Sequence, residues 1–140
     1  MKRLFILLLL ALATTANAQV DKMLGQWNTY DDKTGDKASC VEIAQKGDSY
    51  SCIVLNLYEK DGSVMDPPYK KEFEGIVGSQ LFVEMKADDD KLKGKVYDPE
   101  SKKTYYGKIT YDAKNDVLVL RGSLDKAGLL GRSQSWKRKK

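Results

Sequence analysis

The chain has 140 residues, two cysteines, no histidine and a formal net charge of +4. Without histidine there can be no Ser-His-Asp or Cys-His nucleophile and no imidazole metal site, and two cysteines are too few for a four-thiolate zinc site. Lys2 and Arg3 at one end and Lys137, Arg138, Lys139 and Lys140 at the other account for the net positive excess. The body between them is near neutral and has no basic stripe of the kind nucleic acid requires.

Lys2 and Arg3 precede an apolar run from Leu4 to Leu12, and Ala16-Asn17-Ala18 follows with small residues at the spacing of a cleavage site. This order reads as a signal peptide over residues 1–18, with Gln19 as the first residue of the mature chain. The run is too short to span a bilayer as a helix. The expected product is a single soluble domain over residues 19–140, periplasmic or secreted, ending in a basic tail.

Turn signals then recur at short intervals. They are Lys33-Thr34-Gly35, Lys46-Gly47-Asp48, Lys60-Asp61-Gly62, Asp66-Pro67-Pro68, Asp88-Asp89-Asp90, Asp98-Pro99 and Lys114-Asn115-Asp116. The segments between them are rich in β-branched and aromatic residues. They predict strands near 25–31, 37–45, 49–58, 70–76, 79–86, 91–98, 103–111, 116–122 and 130–138, with single helical turns near 19–24 and 124–130. Even spacing of many short strands predicts an all-β fold, a single antiparallel up-and-down barrel of about eight or nine strands. Tyr105, Gly107, Ile109 and Tyr111 alternate against Thr104, Tyr106, Lys108 and Thr110. Ser51, Ile53, Leu55 and Leu57 are expected to share one face, joined by Val41 and Ile43.

Cys40 and Cys52 flank Gln45-Lys46-Gly47. A three-residue loop there would set Cys40 opposite Cys52, within disulfide reach, and an exported protein meets an oxidising compartment. A disulfide between Cys40 and Cys52 is therefore expected.

Gly25-Gln26-Trp27 opens the first strand, and Gly131 to Arg138 forms the last. A closed barrel makes these strands neighbours. Alternation puts Arg132, Gln134, Trp136 and Arg138 on one face, and Trp27 is expected to meet Arg132 as a cation–π pair. Trp27, Arg132, Gln134 and Trp136 are accordingly the candidate ligand-contacting residues. Two inward polar side chains need partners, either protein groups or the polar head of a ligand. The Gly-x-Trp start with a late arginine resembles the closure signature of lipocalins and the wider calycin group.

A broader resemblance covers the mature chain. Trp27 to Gly35, Val41-Glu42-Ile43, Gly94 to Glu100, Lys103-Thr104-Tyr105, Leu120-Arg121-Gly122 and Leu129 to Trp136 resemble the bacterial family catalogued as domain of unknown function 2147. Lys102 stands where that family often has glycine. Ser123 to Gly128 is more polar than usual, and the loop from Lys60 to Tyr69 is individual. The resemblance implies an exported lipocalin-like barrel and no established reaction. No catalytic residue, metal ligand or cofactor is assigned. Asp31, Asp32 and Asp98 read as turn residues rather than a paired-carboxylate site, and Asp88-Asp89-Asp90 as a solvated loop tip. The expected role is non-enzymatic, and two forms of it stay open. One is a barrel holding a small apolar or amphipathic ligand. The other is a filled barrel acting on an envelope protein as an inhibitor or adaptor.

Overall fold

The computed structural model describes residues 18–140. The proposed signal peptide lies outside the described residues except for Ala18, which begins a one-turn helix, α1 (Ala18–Asp21). Eight strands follow: β1 (Gly25–Tyr30), β2 (Lys37–Lys46), β3 (Ser49–Leu57), β4 (Phe82–Asp88), β5 (Lys91–Asp98), β6 (Lys103–Asp112), β7 (Val117–Ser123) and β8 (Gly131–Arg138). Each pairs antiparallel with the next, and β8 returns to β1, so the sheet closes into a barrel. No described helix is long and apolar enough to cross a membrane.

Acidic side chains set several connections. Asp31 Oδ1 accepts the N–H groups of Lys33 and Thr34, Asp98 Oδ1 accepts that of Glu100, and Asp112 Oδ1 accepts those of Lys114 and Asn115. These are turn bonds, as expected of Asp31 and Asp98. The N–H of Thr34 above all, with that of Lys33, holds the Asp31 carboxyl below its ordinary range.

The segment near 70–76, expected as a ninth strand, is not one. It holds a single 3-10 turn, Lys71–Phe73, within a long β3–β4 connection. Phe73, Ile76 and Val77 recur at helical rather than alternating spacing, and all three pack on the core. The stretch near 124–130 is likewise an irregular turn rather than a helical one.

The expected disulfide is also overturned. Lys46 pairs with Ser49, so the β2–β3 loop has two residues, with Gly47 first at φ +65°. Glycine at that place suits a II′ hairpin. This register sets Cys52 opposite Ile43. A bulge beside Cys40, with Leu55 as the extra residue on β3, sets Cys40 opposite Asn56. Cys52 points into the core, and Cys40 lies on the outer face with its neighbour Asn28. Both thiols are free and buried, and burial raises the pKa of each. The same shift puts Tyr50, Cys52 and Val54 inside, where Ser51, Ile53 and Leu55 were expected. Parity returns after the bulge, and Leu57 is again buried in the core with Val41 and Ile43.

Bulky side chains fill the lumen. Trp27, Met23, Ile43, Met85, Leu92, Ile109 and Leu118 are almost wholly buried, with Trp136 beside Leu118. One end is closed by α1 and the segment after it, whose Val20 and Met23 join the core. The turns 47–48, 89–90 and 113–116 lie at this end. At the other end, the mouth, lie the connections 31–36, 58–81, 99–102 and 124–130.

Gly94, Gly107 and Gly122 stand side by side across β5, β6 and β7, next to Arg132 on β8. Their role differs along the row. A Cβ on Gly94 would sit 2.5 Å from the Glu84 carbonyl oxygen, where the β4 bulge folds over β5. A Cβ on Gly122 would meet only Val96 Cγ2 at 3.8 Å. Gly94→Ala should therefore cost about 1–3 kcal/mol of stability, the range of core overpacking. Gly122→Ala should cost less than about 1 kcal/mol, since its Cβ finds ordinary contact. Urea denaturation of both variants checks this, and equal costs would contradict it.

Candidate functional site

The four candidate residues share the inner face of the barrel but divide between its two ends. Trp27 lies in the closed half, fully buried, and its indole N–H donates to the Met23 carbonyl at 2.9 Å. Its cation is not Arg132. The seam pairs Trp27 with Arg138, and the Arg138 guanidinium stands 4.2 Å from the Trp27 ring centroid. Arg132 has the right parity, but it lies six residues back along β8, roughly 20 Å at the rise of a strand.

Arg138 gathers more than the ring. Its Nε donates to both oxygens of Asp116, Nη1 to the Leu24 carbonyl and Nη2 to the Lys22 carbonyl. The Tyr111 hydroxyl donates to Asp116 Oδ1 at 2.8 Å, and the Tyr111 ring meets Trp27 edge-on. A cleft of about 380 Å³ opens here, lined by Asp21, Lys22, Leu24, Tyr111, Asp116 and Arg138. The Arg138 guanidinium, the Asp116 carboxylate, the Tyr111 hydroxyl and the Lys22 and Leu24 carbonyls all bond within this cluster. The arrangement is a clasp that ties the segment after α1, β1, β8 and the β6–β7 turn together. The signal for it was present in the alternation of β8, where Arg138 follows Trp136 on the same face.

At the mouth, Trp136 N–H donates to Gln134 Oε1, and Gln134 Nε2 donates to Asp32 Oδ2, each at 3.3 Å. Gln134 thus links a buried indole to the β1–β2 connection. Leu120 lies opposite Gln134, and Gly122 lies opposite Arg132. Arg132 is exposed, and among the described residues it has no ion pair and no hydrogen bond from its guanidinium. An inner-facing guanidinium with its fork free is suited to a carboxylate or phosphate.

A second cleft, of about 390 Å³, lies in the wall between β3 and β4, which pair only through Ser49 with Lys86 and Tyr50 with Met85. Tyr50, Phe82 and Met85 form its apolar floor. Gln80 Oε1 accepts the N–H groups of Cys52 and Phe82 and so replaces part of the missing ladder. Nothing in the residue pattern announced this gap. Neither cleft is a hollow lumen. No group of three or more acidic or cysteine side chains that could hold a metal ion occurs among the described residues.

Losing Arg138 removes a cation–π contact and two carbonyl partners as well as a part-buried ion pair. Arg138→Ala should cost about 2 kcal/mol, a fall in Tm of roughly 5–10 °C for a domain of this size. The bond from Arg138, and after it that from Tyr111, holds the Asp116 carboxyl below its ordinary pKa. Its stabilisation is therefore present above the carboxyl's unfolded pKa and is lost as pH falls through the folded one. Melting curves down through the carboxylate range should show a smaller acid loss for Asp116→Asn than for the unaltered protein. Parallel pH profiles would contradict the assignment.

Residues 25–138 match the family described as an uncharacterized protein conserved in bacteria, DUF2147. Among solved structures, the chain is similar to protein HP1028 from the human pathogen Helicobacter pylori, described as belonging to the lipocalin family. The identity is 22%, with 84% of this chain and 83% of that one covered, at a TM-score of 0.63. That likeness concerns the fold. Among curated proteins, none matches the sequence.

Proposed function

The chain belongs to the DUF2147 family, and from that premise we propose that it is an exported, non-enzymatic binding protein of the cell envelope that takes a small anionic amphipath at the barrel mouth. The observation that carries this reading is Arg132, inner-facing and without a partner among the described residues, beside the row of Gly94, Gly107 and Gly122. Arg132 receives the acidic head. The apolar part lies against Leu120, Tyr105 and Val96, which border the same region of the inner wall. Gln134 positions the rim through Asp32 rather than touching the ligand first, because both ends of its amide are engaged. Trp136 and Trp27 belong to the packed floor and the clasp. Lipocalin-like architecture supports a binding role, since barrels of this size can hold one small ligand.

The filled lumen favours a second reading. With Trp27, Met85, Leu92 and Ile109 crossing the interior, the barrel has little room for a deep ligand and would act on an envelope protein through its surface. Export is part of both readings, and the core supports the boundary. Val20, two residues past the expected cleavage point, is already fully buried.

Titration of the exported protein with dodecanoate, followed by native mass spectrometry, separates the readings. The mature chain should begin at Gln19 and retain one equivalent. Arg132→Ala should weaken retention at least roughly tenfold, as for a lost charge-assisted bond, with an unchanged melting temperature. No retention by the unaltered protein, or equal retention by Arg132→Ala, would remove the mouth site and leave the surface-acting barrel.

A further inference from the structure

Strand register assembles a basic row that the linear sequence does not show. Lys86 on β4 pairs with Lys93 on β5, Lys93 with Lys108 on β6, and Lys108 with Arg121 on β7. Their chain neighbours Met85, Leu92, Ile109 and Leu120 pack in the core, so all four cations stand on the outer wall. Ser49 pairs with Lys86 and Ser133 with Arg121, so a hydroxyl flanks the row at each end. Lys95 lies beside Lys93 on the same face of β5, opposite Tyr106, which is 37% exposed. Like charges set directly opposite one another weaken a sheet, and here three such pairs follow in succession. Only Arg121 has a structural task, its Nε donating to the Gly128 carbonyl and its Nη2 to that of Leu129 in the β7–β8 loop.

The acids near the row do not cancel it. Asp48 reaches Lys86 at 3.7 Å and Asp88 reaches Lys93 at 3.2 Å, in both cases between exposed side chains. Such pairs contribute little and yield to a competing anion. Asp125, beside Arg121, is engaged with the N–H groups of Leu129 and Leu130. Glu84 lines the wall cleft toward β3, and Asp89 and Asp90 lie in the β4–β5 turn at the closed end. Toward the mouth, Asp98 serves its own turn and Glu100 is exposed within it. Lys95 and Lys108, at the centre, have no ion pair among the described residues.

The shape of the row selects what it can hold. It crosses four of the eight strands of a closed barrel, so it follows the curve of the wall for about half the circumference. Adjacent members sit one strand apart, about 4.8 Å at the backbone. A flat bilayer or a rigid duplex meets only part of such an arc. A flexible chain with one anionic group per monomer can follow all of it. Single-stranded nucleic acid asks for a series of aromatic faces on which successive bases stack, and among the described residues Tyr106 is the one exposed aromatic side chain bordering the row. Ammonium and guanidinium groups in sequence, with hydroxyls at both ends, suit sugar carboxylates.

We propose that the outer wall of β4–β7 is a binding track for a linear acidic polysaccharide with one carboxylate per sugar, held by Lys86, Lys93, Lys95, Lys108 and Arg121. The track is separate from Arg132, which faces inward at the mouth. The test is titration of a fluorescein-labelled polygalacturonate decamer with the exported protein, read by polarisation, beside a neutral dextran and a thymidylate decamer carrying the same label. Polygalacturonate should bind, dextran should not, and the affinity should fall steeply with salt. The variant Lys93→Gln, Lys95→Gln, Lys108→Gln leaves Arg121 and its loop in place. It should bind polygalacturonate roughly tenfold or more weakly, with an unchanged melting temperature. The charge-matched tail variant Lys137→Gln, Lys139→Gln, Lys140→Gln should bind as the unaltered protein does. Absence of polygalacturonate binding overturns the proposal, and so does undiminished binding by the row variant. An equal loss in the tail variant overturns it too, since the attraction would then follow net charge. Thymidylate held as tightly as polygalacturonate would overturn the choice of a polysaccharide.

Discussion

The closure of the barrel rests on one guanidinium. The β1–β8 seam is short, with Trp27 facing Arg138 and Asn28 facing Lys137, and a ladder of that length has few hydrogen bonds to resist opening. Arg138 supplies what the ladder lacks. It covers the Trp27 ring, binds two carbonyls of the segment that plugs the barrel end, and holds Asp116 in the β6–β7 turn. A lysine could not make this set of contacts, because the set depends on a planar fork with several N–H groups fixed relative to one another. Met23 is buried by the same arrangement, since its carbonyl takes the Trp27 N–H. The clasp thereby connects the start of the folded domain to its end.

With one end plugged and the lumen filled, polarity on the inner wall is pushed toward the mouth. The inner face of β8 shows the gradient within a single strand. Arg138 is satisfied in the clasp, Trp136 is buried, Gln134 is half-buried and bonded, and Arg132 is exposed with no partner among the described residues. The glycine row beside Arg132 lowers the bulk of the wall at the same level. The adjoining β7–β8 loop carries its leucines outward on a hydrogen-bonded frame. The mouth therefore concentrates the groups that packing does not consume. Those are the groups available for recognition.

The strand pattern was readable because a barrel wall has one dry face and one wet one, so residues such as Tyr105, Gly107, Ile109 and Tyr111 announce the inner face by parity alone. The meeting of the first and last strands followed from the need to remove sheet edges. What parity cannot supply is displacement along a strand. Arg132 and Arg138 have the same parity, and only the closing register decides which one covers Trp27. The cysteines failed for a related reason. A hairpin loop one residue shorter than expected, together with a bulge beside Cys40, changed the partner of each sulfur and turned Cys52 inward while Cys40 stayed on the outer face. Phe73 and Ile76 were misplaced because a short apolar cluster beside charged residues fits a strand or a turn equally well until its contacts are known. That Arg132 has no partner among the described residues, and that Leu124, Leu129 and Leu130 are exposed, depends on the tertiary arrangement, which no local pattern encodes.

Amide hydrogen exchange at the seam tests the account at its centre. In the unaltered protein the amides of Asn28 and Lys137 should be protected to the level of the β5–β6 core, opening only with global unfolding. In Arg138→Ala those two should exchange early while β5 and β6 keep protection relative to the variant's own global stability. Fast exchange at the seam of the unaltered protein, or a seam in Arg138→Ala that remains as protected as β5 and β6, would show that the barrel closes without the clasp.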